Sequence, residues 1–230
     1  MCLIALSVKK SKDWNGKDSY FYKIIANRDE YHERQTTVMH WWSNASILAG
    51  KDEKAGGTWL GTNIDGKFAA ITNLKENTNK KYSVSRGSLV TDFLESQLSA
   101  KGYLEELDDK KESYAGFNLI VGDRNGLFYL CNRLDGIFFI PEGLHAIGNL
   151  TLNASTKKVE AIKNDFNELM YKGFTTQGGF NVMRKDYGNL HEKTIKYNHC
   201  YFLCILSRLL LKSQRLLLKS REQGVFQCSD

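Results

Sequence analysis

The first thirty residues contain two apolar runs joined by a short polar segment. Residues 2–8 and 20–26 are rich in aliphatic, β-branched and aromatic side chains, which favour strands. Asn15-Gly16 lies between them, and Asn-Gly is a strong signal for a tight β-turn. The pattern predicts an N-terminal β-hairpin. In such a hairpin, Cys2 lies close to the residues that follow Ala26.

Cys2 carries two reactive groups if Met1 is removed, because its thiol and a free α-amine then belong to one residue. Their reference pKa values are about 8.5 for the thiol and about 7.7–8.0 for the amine, so both titrate near physiological pH. A thiolate is the reactive form of cysteine, and an N-terminal nucleophile can act in covalent catalysis. The alternative is a small hydrophobic side chain buried in a strand.

A compact charged motif, Asn27-Arg28-Asp29-Glu30, ends the second run. Polar side chains are ordinary at strand ends and turns, so a purely structural role is one interpretation. In the functional interpretation, Arg28 lowers the pKa of a neighbouring thiol, and Asp29 holds and orients an amine. Both interpretations stay open on the motif alone.

Further along the chain, apolar patterning predicts a mixture of strands and helices. Residues 56–73 form a β-unit around a turn, and residues 117–131 form a second hairpin. Apolar side chains at helical spacing predict helices over 89–98 and 159–170. Strands dominate early with helices interleaved, and this favours an α+β layered fold.

Composition divides the chain into a domain over residues 1–190 and a divergent basic, leucine-rich tail over residues 191–230. The net charge is +6. The tail has seven basic and three acidic side chains, a net +4, which leaves +2 for residues 1–190. A nearly neutral body gives no argument for a nucleic-acid partner.

The tail contains a near repeat, residues 207–213 followed by 214–220. Its basic side chains recur at spacings that share one face of a helix. A basic amphipathic helix can lie on a membrane surface or in a partner's groove, so we expect peripheral membrane contact through residues 200–221. The alternatives are a helix packed on the body and a segment not selected to fold.

Cysteine usage predicts a reducing compartment. The five cysteines have no disulfide-like spacing, and residues 4–8 are too short for a secretory signal. We therefore expect a protein of the cytoplasm or of another reducing compartment that is not secreted. No apolar stretch is long enough to span a membrane. His199, Cys200 and Cys204 lack a convincing fourth zinc ligand, so no metal site is expected.

Eight short motifs occur together and in order over about residues 1–175. They are Met1-Cys2, Ala26-Asn27-Arg28-Asp29-Glu30, Gly56-Gly57-Thr58-Trp59-Leu60-Gly61, Thr72-Asn73, Arg86-Gly87-Ser88-Leu89-Val90, Gly116-Phe117-Asn118-Leu119-Ile120, Asn132-Arg133 and Gly148-Asn149. This set resembles the NRDE family, which is named after its Asn-Arg-Asp-Glu motif. Through that family the chain also resembles, distantly, the N-terminal-nucleophile cysteine hydrolases.

The resemblance implies a four-layer αββα sandwich, in which two antiparallel sheets lie between helix layers. It implies that Cys2 is the nucleophile at the start of the first strand and that Asp29 contacts the α-amine of Cys2. Arg28, which immediately precedes Asp29, is the implied third residue of the site. Asn73 and Asn149 are the implied donors to the oxyanion. Since no Thr- and Val-rich strands follow Asn189, we expect a sandwich that is incomplete at its C-terminus.

The resemblance also implies a cellular role. NRDE-family proteins are associated with Golgi organisation, protein secretion and organelle homeostasis, and handling of intracellular haem or lipid is one way to serve these roles. The resemblance therefore also implies that this cytoplasmic protein associates with the Golgi or with mitochondria. The expected partner is then a small apolar ligand, with Cys2 as a chemically reasonable axial ligand of haem. The alternative is a hydrolase that cleaves an amide or ester bond of an acyl substrate with Cys2 as the nucleophile.

Overall fold

A computed structural model describes residues 2–12, 15–29, 34–43, 46–76, 80, 82, 84–185, 187 and 197–205. The chain divides into two compact units. The first unit comprises Met1–Lys9, Phe21–Glu33 and Glu142–Asp230, and the second comprises Lys10–Tyr20 and Arg34–Pro141. The interpretation of residues 1–190 as one domain stays a prediction.

The described residues form strands β1 to β11 and helices α1 to α4, numbered in chain order. The strands are Cys2–Lys12, Asp18–Asp29, Thr36–Trp41, Ile47–Asp52, Leu60–Asn63, Phe68–Asn73, Phe117–Asp123, Gly126–Cys131, Phe138–Ile140, Gly143–Ile147 and Tyr197–Ile205. The helices are Ser88–Glu95, Ala100–Asp108, Lys157–Lys172 and Thr176–Met183. Among the described residues, no helix combines the length and the apolar character that crossing a bilayer requires.

One sheet contains four strands in the order β10-β1-β2-β11. β1 and β2 are the predicted N-terminal hairpin, which the structure confirms. β10 pairs antiparallel with β1, and β11 pairs antiparallel with β2. The composition of residues 191–230 predicts no such strand, so β11 is an addition from the segment interpreted as a tail. The helix predicted over 207–220 lies outside the described residues.

Helices α3 and α4 of the first unit pack against its strands through one apolar cluster. Leu3, Ala5 and Ile25 contribute to this cluster from β1 and β2. The helices contribute Val159, Ile162, Phe166, Phe180, Val182 and Met183. The spacing that predicted a helix over 159–170 is thus confirmed as the buried face of α3.

The other sheet has seven antiparallel strands in chain order, from β3 to β9. Helices α1 and α2 lie in the connection between β6 and β7 and pack on the strands of this sheet. The predictions for residues 56–73 and 117–131 are confirmed as the hairpins β5–β6 and β7–β8. The helix predicted over 89–98 is confirmed as α1, which ends at Glu95. Sheets that carry helices form the predicted α+β fold.

Candidate active site

Cys2 is the first residue of β1, and its side chain is half-buried. It forms no disulfide with the described residues. Leu3 and Ala5 belong to the cluster beneath α3, and side chains alternate along a strand. Cys2, like Ile4, therefore points to the opposite face of the sheet from α3.

Arg28 lies on the same face and at the same end of the hairpin as Cys2. Ile25 packs with α3, so alternation places Arg28 on the other face of β2. Lys12 of β1 and Asp18 of β2 form an ion pair at the turn between the two strands. Cys2 lies ten residues before Lys12, and Arg28 lies ten residues after Asp18, so both lie at the other end of the hairpin. The Arg28 side chain is only 6% exposed. The structure therefore places a buried cation at the same end of the hairpin as the Cys2 thiol.

Asn149 lies two residues beyond the end of β10, the strand that pairs with β1. The β1–β10 pairing ends with Ile4 opposite Ile147, so the segment that follows Ile147 leaves β10 at the end of the sheet where β1 begins. The preceding residue supports this placement independently. A Cβ built on Gly148 would lie 3.8 Å from the carbonyl oxygen of Cys2. The half-buried Asn149 is therefore close to the start of β1.

Asp29 follows Arg28 and is the last residue of β2, where its backbone lies opposite Tyr197 of β11. Glu30, the last residue of the motif, lies outside the described residues. The first unit thus gathers Cys2, Arg28, Asp29 and Asn149 at one end of its sheet.

Asn73 belongs to the second unit, unlike the other four predicted site residues. It is the last residue of β6, its side chain is exposed, and its partner in register is Phe117. Its role as a donor to the oxyanion stays a prediction.

Other motif residues of the second unit hold the chain just beyond β6. The backbone N–H of Leu74 donates to the carbonyl oxygen of Gly116 at 2.9 Å, and Arg86 Nη1 donates to the same oxygen at 2.8 Å. The Gly116 N–H donates to Glu76 Oε2 at 2.6 Å, and Glu76 Oε1 pairs with Arg133 Nε at 2.6 Å. These motifs therefore have a structural role around the segment that follows Asn73.

Sequence reasoning assigned no role to a buried polar network in the same sheet. Asn118 is 1% exposed, its Nδ2 donates to Thr72 Oγ1 at 3.2 Å, and its Oδ1 accepts from the Tyr129 hydroxyl at 2.7 Å. The signal available in the sequence was that Thr72 and Asn118 each belong to one of the eight motifs. These bonds give the buried side chain of Asn118 both a donor and an acceptor partner, as buried polar groups require.

Sequence reasoning also missed two residues of the first unit, His145 and Asn153. The His145 side chain is 8% exposed, and its Nδ1 lies 3.0 Å from Asn153 Nδ2. Asn153 follows the turn that contains Asn149. Both residues are therefore part of the surroundings of the candidate site.

The fold is similar to that of a solved amidase. The Caenorhabditis elegans N-acylethanolamine-hydrolyzing acid amidase ortholog aligns with a TM-score of 0.62 at 10% identity, over 99% of this chain and 100% of that chain. At this identity the likeness shows the fold alone. The chain therefore shares the α+β fold of that amidase.

The family follows from the sequence comparison. The family model described as Transport and Golgi organisation 2 matches residues 1–200, and the chain belongs to that family. The Bos taurus Transport and Golgi organization protein 2 homolog is 33% identical over 168 residues, which are 68% of this chain and 60% of the bovine protein. The Mus musculus homolog is 39% identical over 154 residues, which are 62% of this chain and 55% of the mouse protein. The chain thus spans little more than half the length of these relatives.

Proposed function

We propose that this protein serves Golgi organisation, protein secretion and organelle homeostasis by hydrolysing an amide or ester bond of an acyl substrate, with Cys2 as the nucleophile. The observation that supports the chemistry is that Cys2 and Arg28 lie at the same end of the β1–β2 hairpin, with Gly148, the neighbour of Asn149, beside Cys2. The family name supports the cellular role, and the proposed location is the cytoplasm near the Golgi or mitochondria.

In the proposed reaction, removal of Met1 leaves the α-amine of Cys2 beside its thiol. The amine accepts the thiol proton, and the thiolate attacks the carbonyl carbon of the substrate. Arg28 favours the thiolate, and Asp29 orients the ammonium group. The Asn149 amide, with Asn73 as a second donor, stabilises the oxyanion. The amine returns the proton to the leaving group as its bond breaks, and water then hydrolyses the thioester.

Intact mass and acylation of Cys2 test this proposal together. The expected mass lacks Met1, and p-nitrophenyl acyl esters acylate the peptide that begins with Cys2. The variant Cys2→Ala loses this turnover. Cys131→Ala is the matched control, because Cys131 is a fully buried thiol in β8 and its removal leaves turnover intact. Unchanged hydrolysis of every reactive acyl substrate by Cys2→Ala would contradict the proposed nucleophile.

The half-buried thiol of Cys2 also favours a second candidate function, in which the protein carries haem or another small apolar ligand. A cysteine thiolate is an established axial ligand of haem iron. Titration of the purified protein with haem should then give saturable binding at micromolar ligand and a Soret shift that Cys2→Ala abolishes. The absence of saturable binding excludes this candidate and leaves the hydrolase untouched.

We also propose that the segment over residues 200–221 contacts membranes peripherally. Tyr197–Ile205 forms β11, and the remainder of the segment lies outside the described residues. The support for the proposal is the run of leucines and basic side chains in the sequence. Co-sedimentation with anionic vesicles that is indifferent to replacing Arg208, Lys212, Arg215 and Lys219 by Gln would exclude an electrostatic contact.

A further inference from the structure

We infer that Asn153 is a positioning residue of the candidate active site, because it fixes the turn that carries Asn149 beside the start of β1. The inference rests on the proposed function, in which Asn149 donates to the oxyanion. Asn153 itself touches neither the thiol nor the substrate in this proposal. It acts through the backbone of β10 and through the His145 side chain.

Asn153 closes the turn by binding both backbone groups of one residue in β10. Its N–H donates to the carbonyl oxygen of Ala146 at 2.8 Å, and its Oδ1 accepts from the Ala146 N–H at 3.0 Å. Ala146 is already opposite Ala5 in the pairing of β10 with β1. One residue thus ties the far end of the turn to the last part of β10.

The backbone of Asn153 is itself constrained. Its φ is 57°, and among the described non-glycine residues it alone has a positive φ. Asparagine enters this left-handed region more readily than most side chains. The residue type therefore serves both the backbone conformation and the side-chain bonds of the turn.

The Ala146 N–H fixes the orientation of the Asn153 amide, and this orientation defines the role of the His145 ring. Because Oδ1 accepts from Ala146, Nδ2 is the amide atom that faces His145 Nδ1, at 3.0 Å. An amide nitrogen only donates, so Nδ1 of His145 accepts in this arrangement. His145 is buried and lies opposite Leu6, on the same face of the sheet as Cys2.

The turn between these fixed ends comprises residues 148–152, and Asn149 lies inside it. One end is held by the pairing of Ile147 with Ile4, and the other end by Asn153. The orientation of the Asn149 amide relative to Cys2 depends on both ends. A displacement of about 1 Å in such a donor can cost up to about 100-fold in rate.

Asn153 is not needed to begin the helix that follows. Helix α3 has its own N-cap, Thr156, whose hydroxyl accepts from the Val159 N–H at 3.2 Å. The bonds of Asn153 go to β10 instead of the helix. Its side chain is therefore free of the capping role that its position before α3 suggests.

Two reagents that react with Cys2 separate positioning from general disruption. A p-nitrophenyl ester acylates Cys2 through a tetrahedral oxyanion, whereas iodoacetamide alkylates the same thiolate without one. Both rates are measured on the peptide that begins with Cys2, in the full chain with Met1 removed. A residue that acts only on the oxyanion donor changes the first rate and leaves the second unchanged.

The variants are Asn149→Ala, Asn153→Gly and Asn153→Asp. Asn149→Ala should slow acylation about 100-fold, as loss of an oxyanion donor does. Asn153→Gly keeps the positive φ without strain but removes both side-chain bonds, and should slow acylation about 10-fold. Asn153→Asp keeps an acceptor for Ala146, and its second oxygen can accept from His145 Nδ1–H after a change of tautomer, so most of the rate should return. Alkylation should stay within about twofold in all three, since no oxyanion forms.

The outcomes distinguish the inference from the proposed function. If Asn149→Ala slows acylation and Asn153→Gly does not, the positioning role of Asn153 is overturned and the proposed function stands. If Asn153→Gly slows acylation and alkylation equally, its effect is general distortion and the positioning role is also overturned. If Asn149→Ala acylates at the wild-type rate, the oxyanion role fails, and the positioning role fails with it.

Discussion

Lys67 is a buried cation at the end of helix α1. The residue is 9% exposed, and its Nζ donates to the carbonyl oxygen of Ser96 and to that of Phe93 at 3.5 Å. The same nitrogen lies 4.9 Å from the centre of the Phe93 ring. A cation is favourable at a helix C-terminus, where the last carbonyl groups lack partners within the helix. Burial lowers the pKa of Lys67.

We predict that Lys67→Met lowers the free energy of unfolding at pH 7 by about 1–2 kcal/mol, since the last carbonyls of α1 lose a donor. The pKa of Lys67 is lower in the folded protein than its value of 10.5 in the unfolded chain. At a pH between these two pKa values, the unfolded chain therefore binds more protons than the folded protein. The stability contributed by Lys67 therefore rises with pH through this window and falls as the pH is lowered.

Urea unfolding of the wild type and of Lys67→Met at several pH values up to 10.5 measures this contribution. The difference between the two proteins should grow with pH. Lys101→Met is the control, because the Lys101 side chain is exposed and its ion pair with Glu105 contributes little. If the difference in unfolding free energy between the wild type and Lys67→Met is constant with pH, burial of the Lys67 ammonium group does not destabilise its charged form.

At the residue scale, the candidate residues that the sequence identifies are those whose residue type alone suggests a chemical role. Cys2 and Arg28 are recognisable because a thiol at the start of a strand suggests a nucleophile, and a cation in a compact charged motif suggests a neighbour that lowers a thiol pKa. Asn153 and His145 are not, since their roles depend on a positive φ and on a contact across a turn. Neither property is visible in a linear pattern.

At the element scale, two motif loops of the second unit meet through glycine. A Cβ built on Gly57 would lie 2.8 Å from the carbonyl carbon and 2.9 Å from the carbonyl oxygen of Gly87. Helix α1 begins at the next residue, Ser88. Because both groups are backbone, neither can rotate away, and the contact fixes where α1 begins relative to the strand that follows Gly57.

Gly57→Ala should therefore cost about 2–4 kcal/mol of stability, through a forced backbone shift. Gly87→Ala is the matched control in the same contact, because its Cβ would lie no closer than 3.4 Å to Thr58. That substitution should change stability by less than about 1 kcal/mol. Thermal unfolding of both variants measures the difference, and equal melting temperatures would show that the two loops separate at little cost.

The elements that the sequence predicted have strong local patterns. The β7–β8 hairpin has two apolar runs around a polar turn with glycines, and α3 has apolar side chains at helical spacing. The missed strands lack such patterns. β3 alternates little between buried and exposed positions, and β9 has three residues, two of them exposed. Pairing with neighbouring strands, rather than intrinsic preference, makes these segments strands.

At the scale of the whole molecule, the two sheets differ in how far apart their pairing partners lie in the chain. In the seven-stranded sheet every strand pairs with a neighbour in sequence, so local hairpin signals predict much of it. In the other sheet, 143 positions separate Ile4 from its partner Ile147, and 177 separate Ile25 from Phe202. Such long-range pairings form when distant segments pack into one hydrophobic core, so a short stretch of sequence gives no signal for them.

β11 is a long-range strand whose contribution to the fold can be tested by truncation. It pairs with β2, the strand that carries Arg28, and it comes from the segment interpreted as a tail. Deletion of residues 206–230 retains β11, so the melting temperature and the acylation of Cys2 should stay close to those of the full chain. Deletion of residues 197–230 leaves the outer edge of β2 unpaired along Tyr22–Asp29. That deletion should cost at least about 2 kcal/mol and slow acylation, since Arg28 loses the strand beside it.

Thermal unfolding and acylation of Cys2, measured on both truncated proteins, decide the role of β11. If only the longer deletion lowers stability and acylation, residues 197–205 are part of the fold that holds the site. The division at residue 190 would then mark a change in composition within a domain and not its end. If both truncated proteins match the full chain, the edge of β2 needs no partner, and the site is complete with β10, β1 and β2.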